Sequence, residues 1–208
     1  MSEPVLVSHE IGVAKGRPTV SFSVDDGLTV LLHERESHAT ALSLILAGRL
    51  RPVSGSVEVD GSILRPRQLY KKVALAGAPE IDTLERATSV RETLREQIAW
   101  AQPWWKPVTR QPLTHELVEP WLEPLGLSLE DVPVGALRVI DRIRLRVLLA
   151  LVARPSASVL IVDDIDQLRS LELRDELLDN LAAVAEFLPV IASSVNPTDY
   201  FSIDVRMK

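Results

Sequence analysis

Short apolar runs and longer helical repeats alternate along the chain. Val5-Leu6-Val7 and Thr19-Val20-Ser21-Phe22-Ser23-Val24 predict strands, and Asp25-Asp26-Gly27 between two apolar runs predicts a turn. Leu28-Thr29-Val30-Leu31-Leu32 reads as a buried strand, and the apolar residues Leu42, Ile45, Leu46 and Ala47 then recur at helical spacing. Ser89-Val90-Arg91-Glu92 is a capping-box pattern that opens a helix through about Ala99. A proline-broken loop at Pro103-Trp104-Trp105-Lys106-Pro107 follows. Next come a short helix from His115 to Glu123, kinked or ended near Pro120, and a connection from Gly126 to Pro133. Leu137, Ile140, Arg144, Val147, Leu148 and Leu151 trace a long helix from about Leu137 to Ala153, stopped by Pro155. Ser158-Val159-Leu160-Ile161-Val162 is the near-continuous apolar run of a central parallel strand, and Ser170 to Phe187 is an amphipathic helix.

Composition narrows the class. At 208 residues the chain can form one large domain with a small insert and can bury a substantial core. A net charge of −6 disfavours nonspecific binding to nucleic acid or anionic lipid, both of which need a basic surface. There are no cysteines, which excludes disulfides, zinc-thiolate centres and cysteine nucleophiles. The first residues lack a basic region followed by an apolar run, and no run of about 18 apolar residues occurs anywhere. A cytoplasmic protein without direct membrane insertion is expected.

The candidate chemistry lies between the strand at Leu28–Leu32 and the helix that follows. The stretch His33-Glu34-Arg35-Glu36-Ser37-His38-Ala39-Thr40 is built like a phosphate-binding loop. Beyond it, Arg51-Pro52-Val53-Ser54-Gly55-Ser56-Val57-Glu58-Val59-Asp60-Gly61 resembles the "LRPTSGEVRVDG" tail that follows the first helix of ATP-binding-cassette (ABC) ATPases. That tail sets the register: the Walker A motif G-x-x-x-x-G-K-[ST] falls on His33, four residues, His38, Ala39 and Thr40, and only Thr40 survives. Such a loop needs glycines for close backbone approach, N–H groups around the β-phosphate, a lysine on the β/γ-phosphates and a hydroxyl on Mg²⁺. Here His33 and His38 fill glycine positions, and Ala39 removes the cation. Glu34 and Glu36 add like charge, costing on the order of 1–4 kcal/mol per contact at ~4 Å.

Other landmarks of the family keep their order along the chain, from about Val5 to Val205. "VSFSVDDG" is similar to the segment before the Walker A strand, but no aromatic residue precedes Phe22 to stack on adenine. Lys72-Val73-Ala74-Leu75-Ala76-Gly77-Ala78-Pro79 resembles the strand into the Q-loop, with Ala78 at the position of the metal-sensing glutamine. Ser89-Val90-Arg91-Glu92 matches "TVRENL", the start of the family's helical subdomain. Arg146-Val147-Leu148-Leu149-Ala150 is similar to the "RVALA" after the LSGGQ signature, which places that signature on Val139-Ile140-Asp141-Arg142-Ile143. Ile140 offers no hydroxyl there, and Asp141 and Arg142 replace glycines. The basic residues Arg138, Arg142, Arg144 and Arg146 are expected on a solvated or salt-bridged helix face. Val162-Asp163-Asp164 resembles Walker B: Asp163 matches the metal-holding carboxylate, and Asp164 stands one methylene short of the family's catalytic Glu. Pro189-Val190-Ile191-Ala192-Ser193-Ser194-Val195-Asn196 resembles the last core strand, with Val195 at the switch histidine.

The resemblance implies an α/β fold of the P-loop NTPase (ABC ATPase) type: a mostly parallel sheet, antiparallel N-terminal strands and a helical subdomain. Residues 1–208 form a single domain, with a core at 1–84 and 134–208 and a helical insert at 85–133. It also implies a degenerate ATP-binding subunit, a pseudo-ATPase without expected cofactors. Such a subunit would act as a non-catalytic partner of an integral membrane permease or of a homo- or heterodimeric ABC ATPase at the inner face of the membrane, and would bind no nucleic acid. The alternative is a weak ATPase using ATP and Mg²⁺, with Thr40, Asp163 and Asp164 in a composite site completed by a partner. Metal binding by His33, His38, Glu34 and Glu36 is a third possibility. All four tryptophans, Trp100, Trp104, Trp105 and Trp121, lie in the insert. They are expected as small-subdomain core, or else as a partner-facing patch. The family docks its membrane subunit between core and helical subdomain, which makes Ala78, Trp100, Trp104 and Trp105 the partner-binding candidates.

Overall fold

The computed structural model describes residues 3–35, 37–79, 81 and 83–206. Nine strands form two sheets. β1 (Leu6–Gly12), β2 (Val20–Val24), β4 (Ser54–Val59) and β5 (Ser62–Leu64) make an antiparallel sheet in the order β2-β1-β4-β5. β3 (Leu28–Leu32), β6 (Val73–Ala76), β7 (Val159–Val162), β8 (Val190–Ser194) and β9 (Ser202–Asp204) make a parallel sheet in the order β6-β7-β8-β3-β9. The parallel sheet and the antiparallel N-terminal strands expected from sequence are both present, as two sheets.

The continuous apolar runs follow from burial of the parallel sheet on both faces. Val30, Ala74, Ala76, Leu160, Val162, Val190 and Ala192 pack into one core. Their alternating neighbours Leu31, Val73, Leu75, Val159, Ile161 and Ile191 pack into another. The first core holds α3 (Val90–Ala101), α5 (Val139–Ala153) and α6 (Leu171–Val184). The second holds α1 (Ala39–Leu46), Leu69 of α2 (Pro66–Lys72) and the antiparallel sheet.

The helical part leaves and re-enters along paired backbone. Val90 N–H donates to Val132 O (3.0 Å), Val134 N–H to Thr88 O (2.9 Å) and Gly135 N–H to Arg86 O (2.9 Å). Ser89 caps α3 by accepting from Glu92 N–H at 3.2 Å. The short helix expected from His115 to Glu123 is confined to α4 (Glu119–Leu122), and Pro120 stands in its first turn rather than at its end. A proline is tolerated there because its missing N–H would have no helical partner. β1 extends beyond the predicted Val5–Val7 to Gly12, through a register shift near Glu10, whose φ is +47°. Its polar residues Ser8, His9 and Glu10 hide the strand from an apolar count.

Candidate functional site

The C-terminal ends of β3, β7 and β8 open onto one cavity of about 510 Å³, the usual ligand position in a parallel α/β sheet. His33, Ala39, Thr40, Asp163 and Asp164 all line it, so the structure brings together these residues singled out from the sequence. His38 does not line it; it sits at the N-cap of α1 without a side-chain cap bond. Glu34 lines a neighbouring cavity near Asp204 instead, and Glu36 lies outside the described residues. Of the two like charges expected beside the loop, that of Glu34 does not line this cavity. Arg35 and Arg169, not singled out from the sequence, do line it.

The loop after β3 is tied down locally. His33 N–H donates to Ser194 O at 3.0 Å, and its ring Nδ1 pairs with Ser37 Oγ at 3.0 Å. Its Nε2 is buried without a hydrogen-bond partner among the described residues. Among those residues no three His, Asp or Glu side chains converge as a metal-binding group; Glu36, one of the four considered from sequence, lies outside them.

Asp163 is 1% exposed. Its Oδ1 accepts from Ser43 Oγ at 2.7 Å and from Ser193 Oγ at 3.1 Å, whereas Oδ2 has no partner among the described residues. The hydroxyl that reaches Asp163 thus comes from Ser43, nearly one helical turn beyond Thr40. Gly77 makes the close strand pairing possible: its φ is +85°, and a Cβ there would stand 2.3 Å from Asp163 O. Gln167 then bridges the two sides, donating to Gly77 O at 2.9 Å and accepting from Arg146 Nη1 at 3.0 Å.

Asp164 turns out of β7 with φ +46°, and its N–H donates to Ser193 Oγ at 2.8 Å. Burial, then the nearby charges of Asp163 and Asp166, hold its carboxyl above the ordinary range. Asp166 plays a different part. It accepts from Ser194 Oγ (2.9 Å), Val195 N–H (2.7 Å) and Asn196 Nδ2 (2.7 Å), which pins the end of β8. Sequence reading missed Ser43, Ser193, Asp166 and Asn196. The available signal was a hydroxyl inside an otherwise apolar helix face.

The segment at the signature position forms the start of α5. Arg138 bonds Asp141 there at 2.7 Å. Of the solvated or salt-bridged face expected, Arg144 takes the salt-bridged form, and it is 3% exposed. It is held by Asp141 (3.0 Å), Glu176 (2.7 Å) and Asn180 (2.8 Å) because it points between α5 and α6. Burial works against an ionised Asp141, but its bonds to Arg138 and Arg144 outweigh it and hold its carboxyl below the ordinary range.

Among the partner-binding candidates, Ala78 is 1% exposed and belongs to the core, so its side chain offers no docking surface. Trp100, Trp104 and Trp105 are 80%, 90% and 69% exposed, which overturns the subdomain-core expectation for them. On α3 the buried stripe is Val90, Leu94 and Ile98, and Trp100 lies off that stripe. Trp100 lines a groove of about 890 Å³ with Ile81, Leu84 and Ala150. Trp104 and Trp105 pack edge to face at 5.9 Å and lie outside that groove. Only Trp121 packs against the core, edge-on to Phe187.

No family model matches the chain, and no curated protein matches it in sequence. Solved structures do match. The cbiO1 part of the ABC transporter complex cbiONQ from Clostridium perfringens is 16% identical, with a TM-score of 0.74 over 94% of this chain and 80% of that one. An ATP-binding cassette of an ABC transporter in its ADP conformation is 16% identical, with a TM-score of 0.78 over 100% and 90%. A nucleotide-free cassette from an ABC transporter is 17% identical, with a TM-score of 0.68 over 92% and 81%. The chain therefore has the α/β fold of ABC transporter ATP-binding cassettes, with a parallel sheet and antiparallel strands.

Proposed function

We propose that the chain is a non-catalytic, ABC-type binding subunit that serves a membrane permease or an active ABC ATPase. One observation carries this reading: the cavity where the fold would hold nucleotide is lined by three aspartates and, among the described residues, by no lysine. Arg35 and Arg169 offset part of that charge, but Ala39 stands at the start of α1 where the motif's lysine would stand. Among the described residues Thr40 makes no hydrogen bond to Asp163, whose Oδ1 accepts from Ser43 and Ser193. ATP and Mg²⁺ do not fit this donor set: a polyanion would meet carboxylates, and His33 lines the cavity where a glycine would leave room for close backbone approach.

The groove beside Ile81 and Trp100 supports the partner half of the reading, because it depends on shape and apolar area rather than on phosphate ligands. No described helix is long and apolar enough to cross a membrane, so a membrane role would go through a partner. A weak ATPase completed by a partner is the second reading, and the shared position of Thr40, Asp163 and Asp164 on one cavity favours it. Calorimetric titration with ATP and ADP, with and without Mg²⁺, separates the two. The first reading expects no saturable heat at millimolar nucleotide. A dissociation constant below about 100 µM, equivalent to roughly 5 kcal/mol, overturns it.

A further inference from the structure

Trp104 and Trp105 stand together at a turn. They are 90% and 69% exposed, and residues 103–108 are exposed throughout. Lys106 N–H donates to Pro103 O at 2.9 Å, which closes a β-turn with the two tryptophans as its central residues. The rings pack edge to face at 5.9 Å, and Val108, 52% exposed, adds to the apolar surface. A side chain 90% exposed stands clear of the surface around it, so this turn offers a wedge, whereas a groove would wrap its ligand.

The base of the wedge is fixed. Gln102 is extended, with φ −98° and ψ 157°, as a residue before proline prefers, and this ends α3. Its side chain pairs with the His115 ring at 2.8 Å, drawing the two ends of the loop together. Arg95 Nε donates to Thr109 O at 3.2 Å and ties the returning chain to α3, and Pro112 is buried. Pro103 and Pro107 limit the backbone on either side of the tip. Neither indole belongs to a core cluster among the described residues, so the braced turn gives no packing return within the chain.

The charge beside the turn is opposite to that of the whole molecule. Residues 97–115 contain Lys106 and Arg110 but no Asp or Glu, in a chain of net charge −6. Arg95 and Arg110 are exposed and form no salt bridge among the described residues, while Lys106 approaches Glu116 at 3.8 Å in a pair exposed on both sides. Because salt screens charge beyond about 8 Å, these cations set the field at the tip more than the whole-chain charge does.

We propose that this turn inserts Trp104 and Trp105 into the headgroup layer of an anionic phospholipid bilayer, with Lys106 and Arg110 against the lipid phosphates. Tryptophan suits that layer because its ring is apolar and its N–H finds acceptors there, and lysine and arginine can lie along the interface with their charge in water. Apolar insertion and electrostatic attraction are the two contributions that a peripheral contact combines. A protein pocket would have to match a projecting pair of rings at 85° to each other, whereas a fluid headgroup layer deforms around them. The contact lies outside the groove at Trp100 and does not depend on a permease. The absence of membrane insertion expected from sequence rested on spanning runs and net charge, and neither bears on a two-residue wedge.

The test uses the full chain and sucrose-loaded vesicles of phosphatidylcholine with or without phosphatidylglycerol. Sedimentation with the phosphatidylglycerol vesicles is expected to be at least about tenfold tighter, with the difference shrinking as salt rises. Combined Trp104→Ala and Trp105→Ala should weaken it at least about tenfold without shifting the unfolding curve, since both residues are exposed. Combined Lys106→Glu and Arg110→Glu should remove the preference for phosphatidylglycerol. Lipids brominated near the glycerol end of the acyl chain should quench the tryptophan fluorescence of the bound chain. That quenching should be lost on combined Trp104→Phe and Trp105→Phe and kept on Trp100→Phe; if the alanine pair unfolds, this arm decides. Quenching that survives both phenylalanines, binding unchanged by a folded alanine pair, or a lipid preference that survives charge reversal overturns the proposal. No sedimentation with either vesicle also overturns it and leaves a protein pocket as the occupant of the turn. The vesicles hold no permease and no nucleotide, so the outcome is independent of the binding-subunit reading.

Discussion

Ser43→Ala probes what Asp163 does in this chain. Ser43 Oγ donates to Asp163 Oδ1 at 2.7 Å, and both residues are buried, at 4% and 1% exposure. Removing a hydrogen bond to a charged group costs about 1.5–3 kcal/mol, and alanine returns roughly 0.5 kcal/mol of helix propensity inside α1. The net loss is about 1–2.5 kcal/mol. At about 2–4 °C per kcal/mol for a chain of this size, the melting temperature should fall by roughly 2–10 °C. Thr40→Ala is the matched control. Thr40 occupies the position of the metal-binding hydroxyl in the ABC register, but its side chain makes no bond to Asp163 in the structure, so its loss should stay within about 0.5 kcal/mol. Calorimetric unfolding of both variants, checked by urea titration, decides the matter. If Thr40→Ala costs as much as Ser43→Ala, the carboxylate is organised for a metal and the structural account of Asp163 is wrong.

Ala39→Lys should give no ATP turnover by itself, because His38 still occupies the glycine position; turnover in a coupled phosphate-release assay would refute the account of the loop. The same substitution should lower the melting temperature, since Ala39 is only 8% exposed. Asp164→Asn should raise the melting temperature at neutral pH. The native carboxyl holds its proton more tightly than the unfolded one, so ionising Asp164 costs stability as pH rises through its raised pKa; the gain should vanish as pH falls toward 3.8, and a melting series with the opposite trend would refute it. Asparagine also tolerates the positive φ at that position. Arg144→Met should cost about 1–3 kcal/mol in urea unfolding, because it removes the buried guanidinium that joins Asp141 to Glu176 and Asn180 while Asp141 keeps its pair with Arg138; a loss under about 1 kcal/mol would show that the α5–α6 network is dispensable.

The parts of the fold most legible in sequence are those where one physical demand acts on consecutive residues. Val159-Leu160-Ile161-Val162 is apolar throughout because neighbouring residues face different cores, and Ser89 stands where α3 needs an acceptor. The site was legible as a set of positions, since His33, Ala39, Thr40, Asp163 and Asp164 do meet at one cavity. What held them was not legible. Ser43 and Asp163 are 120 residues apart, and a serine in an apolar helix carries no mark of the carboxylate it will meet. The tryptophans misled for a related reason: size and hydrophobicity favour burial on average, but Trp100 lies off the apolar stripe of α3.

The cores of this fold do not depend on the chemistry at its ligand edge. The two cores are built from alternating residues of the same strands, and none of those contacts requires a phosphate. At the sheet's C-terminal edge, the loops are cross-linked to each other: Asp163 to Ser43 and Ser193, Asp166 to Val195 and Asn196, and Gln167 to Gly77. A carboxylate in that setting has a structural reason to persist whether or not it ever meets a metal. The presence of Asp163 in the sequence therefore says little about catalysis, and its serine partners say more.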